Sequence, residues 1–262
     1  MLLALAQLGR GVVPPDEPVL RADDDGVLRG RAVFETLRVY DGRPFELAAH
    51  FDRLRASAAK VRLPEPPLAE LESLARDALA AAHEPDCVLR FLWTPVTGLA
   101  LVSAVPPELE ELRARGLRLQ VCEWATGALA GAKNTSYAEN MNAQASAAEA
   151  GFDDALFVSP DGIVLEAPTA NVWFREGGTL LTPALELPIL AGVTRSVALR
   201  LADLPVEEGA FPLERLLGAD EVFLTSSVRE VMPVTRVGDR SFPRGETAAR
   251  LQDALRRYAG TP

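Results

Sequence analysis

Hydrophobic and polar positions change period along the chain, and the changes separate strands from helices. The start, Met1-Leu2-Leu3-Ala4-Leu5-Ala6-Gln7, is a short apolar run that reads as a first strand and lacks the basic region of a signal peptide. Residues 32–40 are rich in β-branched and aromatic side chains, and strand alternation puts Phe34, Thr36 and Arg38 on one face. Asp41-Gly42 supplies a hairpin turn, because glycine tolerates the positive φ such turns demand. A helical stretch follows from Leu47 to Lys60, with His50 and Arg53 three apart on one face, and a second helix is predicted over Leu68 to Ala82. Residues 87–93 and 99–105 have the apolar density of core strands, and Leu117 to Cys122 alternates as another.

The segment from Trp124 to Ala130 has no period and contains Gly127, so it reads as a connection between domains. Beyond it, Ala138 to Ala150 has high helix propensity and ends at Gly151. Residues 155–158, the turn Ser159-Pro160-Asp161-Gly162 and residues 163–166 read as a second hairpin, followed by short strands at 171–174 and 179–181. Strand pairs alternating with isolated helices indicate an α+β fold and not a doubly wound parallel sheet. The expected division is a smaller N-terminal α+β domain over 1–123, a connection over 124–130, and a larger C-terminal α+β domain over 131–262.

Charge narrows the function classes. The 262 residues carry a formal net charge of −10, which argues against a nucleic-acid surface. Cys87 and Cys122, with only His50 and His83 besides, offer no metal-ligand spacing, so no metal is expected. The apolar runs are too short and interrupted to span a bilayer, and the expected location is the cytoplasm.

Among 27 basic residues only Lys60 and Lys133 are lysines. Lys60 ends a predicted helix, where a cation suits the dipole. Lys133 sits among small and apolar residues, where burial disfavours the ammonium form and leaves a nucleophilic amine of the kind Schiff-base chemistry needs. Glu166 closes an apolar strand, a costly place for a carboxylate unless it meets a cation such as a protonated heterocyclic nitrogen. Gly192 precedes a helix, so the Val193 and Thr194 amides and the Thr194 hydroxyl make an anion site. Thr225-Ser226-Ser227 delivers three hydroxyls suited to phosphate, and Arg53 offers a charged fork for the same anion. Each feature alone also has a plainer reading: a turn-flanking or arginine-paired Glu166, helix punctuation at Gly192, a strand-to-loop transition at Thr225, a surface charge at Arg53.

Taken in order, these segments resemble a family. Val33-Phe34-Glu35-Thr36-Leu37-Arg38, His50-Phe51-Asp52-Arg53-Leu54, Lys133-Asn134-Thr135-Ser136-Tyr137, Leu165-Glu166-Ala167-Pro168-Thr169-Ala170-Asn171, Leu190-Ala191-Gly192-Val193-Thr194-Arg195 and Ser226-Ser227 are similar to segments of the fold-type IV pyridoxal-phosphate enzymes, the class IV aminotransferase group. The resemblance implies a two-domain fold like that of D-amino-acid aminotransferase, with pyridoxal 5'-phosphate in an interdomain cleft and a homodimer closing the site. It implies that Lys133 forms the Schiff base and moves the Cα proton, and that Glu166 keeps the pyridine nitrogen protonated. Arg53, Val193, Thr194, Ser226 and Ser227 would anchor the phosphate, and Tyr137 would reach the phenolic oxygen.

The small-molecule amine substrate must be read from the remaining residues. D-amino-acid enzymes of the family carry an arginine where Pro95 stands in Trp93-Thr94-Pro95-Val96-Thr97-Gly98, and branched-chain enzymes are generally longer. The resemblance is greatest to the 4-amino-4-deoxychorismate lyases, which release 4-aminobenzoate and pyruvate in folate synthesis. Thr36 would then assist proton traffic, and Arg38 and Arg90 would bind the two substrate carboxylates. The alternatives are a transaminase of branched-chain or related amino acids and, from another class, a non-catalytic phosphate-ligand-binding dimer, which would need neither Lys133 nor Glu166.

Overall fold

A computed structural model describes residues 1–260, which divide into two units, and the fold is α+β as expected. The first unit holds β1 (Leu2–Gln7), β2 (Gly11–Val13), α1 (Asp25–Leu28), β3 (Val33–Tyr40), β4 (Arg43–Pro44), α2 (Leu47–Val61), α3 (Leu68–Ala82), β5 (Cys87–Trp93) and β6 (Gly98–Ala104). Its strands form one antiparallel sheet in the order β2-β1-β6-β5-β3-β4. Asp41 and Gly42 both take positive φ, 49° and 72°, which matches the twist that joins β3 to β4.

The alternation of β3 is visible in its burial. Val33, Glu35, Leu37 and Val39 are buried, whereas Phe34, Thr36 and Arg38 are half-buried on the other face. The buried face packs under the two long helices. In α2 the covered positions are His50, Phe51, Leu54, Ser57 and Ala58, and in α3 they are Leu71, Leu74, Ala75 and Ala78, each a stripe of helical period. Leu54 and Leu71 are fully enclosed, and burial of each stabilises the unit by roughly 1.5–3 kcal/mol.

The second unit holds α4 (Leu109–Arg115), β7 (Leu117–Glu123), α5 (Ala138–Glu149), β8 (Asp154–Val158), β9 (Glu166–Ala167), β10 (Ala170–Glu176), β11 (Thr179–Pro183), α6 (Val193–Leu201), β12 (Val206–Gly209), α7 (Leu213–Leu217), β13 (Glu221–Ser226), β14 (Glu230–Val237), β15 (Arg240–Ser241) and α8 (Glu246–Ala259). Its nine-stranded sheet runs β12-β11-β10-β13-β14-β7-β8, with β9 on β10 and β15 on β14. The β11/β12, β14/β7 and β7/β8 pairs are parallel and the others antiparallel. Trp173, Leu180 and Phe223 pack with Ala198 of α6 and Leu251 and Leu255 of α8.

The expected boundaries need correction at both ends of the connection. The first unit is Met1–Pro106 with Ala132–Tyr137, and the second is Pro107–Gly131 with Ala138–Gly260. Strand β7, expected in the first domain, lies between β14 and β8 because its backbone hydrogen bonds are made there. Lys133, expected in the C-terminal domain, belongs to the first unit. The Phe34 amide donates to the Lys133 carbonyl at 3.1 Å and the Thr135 amide to the Ala32 carbonyl at 2.9 Å, so residues 133–135 lie along the start of β3. The second expected hairpin is also reduced: Val158 and Val164 form a single bridge, and Glu166 opens β9 against β10.

Candidate active site

In the first unit the segment 132–137 brings Lys133 to the open face of β3. The backbone is held by the bonds to β3 and by the Lys133 amide, which donates to Ser57 Oγ of α2 at 3.0 Å. The half-buried Lys133 side chain places Nζ 4.5 Å from the Phe34 ring centre and 6.0 Å from that of Tyr137, and these two rings meet edge to face at 5.6 Å. Arg90 lies opposite Thr36 in the β3/β5 register; its Nε donates to Thr36 Oγ1 at 3.1 Å and its guanidinium stands 5.7 Å from the same Phe34 ring. One aromatic floor therefore carries the amine and a guanidinium together. Arg38 leans over Tyr40, 5.1 Å from that ring, farther along the strand.

Behind β3, on its helix-covered face, is a buried charge cluster. Glu35 is fully buried and accepts from Arg53 Nε at 2.8 Å, Arg53 Nη2 at 2.7 Å and His50 Nδ1 at 2.7 Å. Burial alone would raise the Glu35 pKa, but the Arg53 fork and His50 outweigh it and hold the carboxyl at about 2. Burial pushes the His50 imidazole the other way, below its usual range, against the pull of Glu35 and with the charges of Arg53 and Lys133 adding to the fall. His50 is thus a neutral ring donating from Nδ1, with Nε2 as a buried acceptor that has no partner among the described residues. The side chain of Arg53, 11% exposed, is gripped on its Nε edge by this carboxylate.

The second unit holds the other predicted residues. The registers place Glu166 opposite Asn171 and Asn171 opposite Thr225, so the three side chains form a row on one face of β9, β10 and β13. Both Glu166 carboxylate oxygens accept from the Leu190 amide at 3.1 Å, and Asn171 Nδ2 donates to Glu166 Oε2 at 3.1 Å and to the Leu190 carbonyl at 2.9 Å. Leu190 leads to Gly192, after which α6 starts without a side-chain cap, with Val193 and Thr194 buried in its first turn. An uncapped helix start of this kind is suited to an anion. Ser226 closes β13 and its Oγ accepts from the Arg229 amide at 3.3 Å, while Ser227 lies in the turn beyond. Thr225 departs from the expected row of three hydroxyls: it is buried, and its Oγ1 accepts from the Trp173 indole at 3.0 Å.

Thus Lys133, Tyr137, Thr36, Arg38, Arg53 and Arg90 lie in the first unit, and Glu166, Val193, Thr194, Ser226 and Ser227 in the second. Sequence reasoning passed over the roles of Glu35, Ser57 and Asn171. Glu35 did leave a signal, since strand parity puts it with Val33 and Leu37, where a carboxylate needs the cations of α2. Asn171 left none, because its partners at 166 and 190 share no local period.

The donor set of the second unit suits pyridoxal phosphate. A hydrogen-bonded carboxylate fits a protonated ring nitrogen, and an uncapped helix start fits a phosphate. The comparisons with known proteins agree. The family described as amino-transferase class IV matches residues 32–237. A Mycobacterium tuberculosis protein named bifunctional aminodeoxychorismate lyase / D-amino acid transaminase is 32% identical, over 93% of this chain and 95% of its own length. The aminodeoxychorismate lyase of Bacillus subtilis is 29% identical, over 90% of this chain and 88% of its own. Among solved structures, the PLP-bound form of a hypothetical aminotransferase from Mycobacterium tuberculosis superposes with a TM-score of 0.89 at 31% identity, covering 96% of this chain and 97% of that one.

Proposed function

The chain belongs to the class IV aminotransferases, enzymes dependent on pyridoxal 5'-phosphate, and on that premise we propose that it is an aminodeoxychorismate lyase, forming 4-aminobenzoate and pyruvate from 4-amino-4-deoxychorismate. The proposal includes a homodimer working in the cytoplasm. The observation that carries it is the shared Phe34 floor: a cation able to take a substrate carboxylate stands beside the one amine suited to Schiff-base chemistry. A substrate with two carboxylates calls for two such cations, and Arg38 on the same face of β3 is the second.

When bound, the cofactor supplies an electron sink that stabilises negative charge at the carbon bearing the substrate nitrogen. The protein's residues do the rest. Lys133 Nζ would hold the cofactor and, when free, would take the proton from that carbon. Glu166 keeps a proton on the ring nitrogen, and the Leu190 and Asn171 donors hold its carboxylate still. The Val193 and Thr194 amides, Ser226, Ser227 and Arg53 would anchor the phosphate, and Tyr137 would serve the phenolic oxygen. Thr36 Oγ1, already fixed by Arg90, relays the proton during loss of the enolpyruvyl group.

The second reading is a transaminase, of branched-chain or related amino acids or of D-amino acids. The M. tuberculosis relative, whose name joins the lyase to a D-amino acid transaminase, favours keeping it beside the first. The test loads the protein with cofactor, supplies 4-amino-4-deoxychorismate and follows 4-aminobenzoate. Parallel single-turnover spectra with L-leucine, L-glutamate and D-alanine report conversion of the cofactor to its amine form. Product formation with poor conversion by amino acids supports the lyase; absence of 4-aminobenzoate with fast conversion by one amino acid replaces it with a transaminase.

A further inference from the structure

The contacts of Asn171 join two parts of the second unit that the proposed function assigns to opposite ends of one ligand. Its Nδ2 bonds the Glu166 carboxylate at 3.1 Å and the Leu190 carbonyl at 2.9 Å. The Leu190 amide returns to Glu166, so carboxylate, amide side chain and loop close a ring of hydrogen bonds. On its other side, Asn171 Oδ1 occupies the space beside the Gly192 backbone: a Cβ on Gly192 would lie 1.9 Å from that oxygen. Gly192 takes φ −67°, ψ 130°, a conformation open to any residue, so backbone strain does not require glycine there. The asparagine does. Asn171 is 4% exposed, its amide is donor and wedge at once, and no shorter or apolar side chain would make both contacts.

We propose that Asn171 is a positioning residue for the cofactor: it locks the Glu166 carboxylate to the Gly192–Thr194 helix start, so that the groups for the ring nitrogen and the phosphate keep one spacing. Gly192 is glycine because that lock fills the place of its Cβ. A flexible anion would tolerate drift between the two groups. A rigid aromatic ligand carrying a protonated nitrogen and a phosphate would not, so a fixed spacing suits it. The inference rests on the assignment of Glu166 and the α6 start to the cofactor.

Asn171→Ala removes both bonds and leaves the Leu190 carbonyl without its donor. Losing a charge-assisted bond and its partner's orientation lowers cofactor affinity by roughly 10-fold to 100-fold. The decisive readout is magnetic resonance of protein loaded with cofactor labelled at the ring nitrogen. In Asn171→Ala the nitrogen-15 signal moves toward the unprotonated value and the phosphorus-31 signal moves as well. In Glu166→Gln only the nitrogen signal moves. A purely structural role for Asn171 would lower the melting temperature and leave both signals of the loaded protein in place. Gly192→Ala reaches the same contact from the other side: it reproduces both shifts in the native background and adds no further loss of affinity in Asn171→Ala. If Asn171→Ala and Gly192→Ala keep both signals and bind cofactor within twofold of the native protein, the inference is overturned. If Glu166→Gln leaves the nitrogen signal unmoved, the assignment of Glu166 itself fails, and the inference falls with it.

Discussion

Replacing Glu35 tests the buried charge cluster behind β3. Glu35→Gln keeps the side-chain shape and removes the charge that neutralises Arg53, a side chain only 11% exposed. The carboxyl is held at about 2 against a usual 4.5, and at roughly 1.4 kcal/mol per pH unit the ionised form is favoured by about 3 kcal/mol in the folded unit. Breaking a buried ion pair from one side costs about 3–5 kcal/mol, a separate route to the same range. A loss of about 3 kcal/mol lowers the melting temperature of a chain this size by roughly 6–12 °C. Differential scanning of the cofactor-free protein at pH 7 reads it directly. Glu35→Gln combined with Arg53→Met should recover most of the loss, because no charge is then left buried alone. A melting temperature within a degree of native for Glu35→Gln would mean that the pair is not closed in solution.

Acid should act on the same cluster in two steps. The lowered His50 pKa means that stability present above its unfolded value, about 6.5, is lost as pH falls; the depressed Glu35 pKa adds a second loss from about 4.5 down toward 2, so a melt series should steepen below pH 4.5 in native protein and lose that step in Glu35→Gln/Arg53→Met. Arg90→Met should raise KM for a dicarboxylate substrate by roughly 10-fold to 100-fold while cofactor binding stays native, as measured by steady-state kinetics and by cofactor titration. Burial, with Glu84 and Asp86 adding to it, pushes the Cys87 thiol up to about 11, so a thiol reagent at pH 8 should leave Cys87 unmodified in folded protein and reach the half-buried Cys122 first, as peptide mapping would show.

Local pattern carried much of this structure. The parity of β3 separated Phe34, Thr36 and Arg38 from the core side, and the Asp41-Gly42 turn and the stripes of α2 and α3 were legible because each depends on neighbours within a few residues. Strand β7 was legible as a strand but not as a member of the second sheet, since its partners β14 and β8 lie far away in sequence. Lys133 stood out by composition, yet its attachment to β3 rests on backbone bonds to Ala32 and Phe34 that no side-chain pattern encodes. The hydroxyl run at 225–227 did not reveal that Thr225 is buried with its Oγ1 taken by the Trp173 indole, a partner on another strand. Arg53 was recognisable as a fork for an anion; that Glu35 already grips one edge of it became visible only with β3 and α2 packed together.

If Lys133 is the amine that holds the cofactor, the composition of the chain makes it directly testable, because Lys60 is the only other lysine. Borohydride reduction of the cofactor-loaded protein, followed by digestion and mass spectrometry, locates the reduced pyridoxyl group. The group is expected on the peptide carrying Lys133 and not on the one carrying Lys60, with loss of the visible-edge absorbance in Lys133→Ala. Label on Lys60 alone, or loaded protein that takes no label, would contradict it.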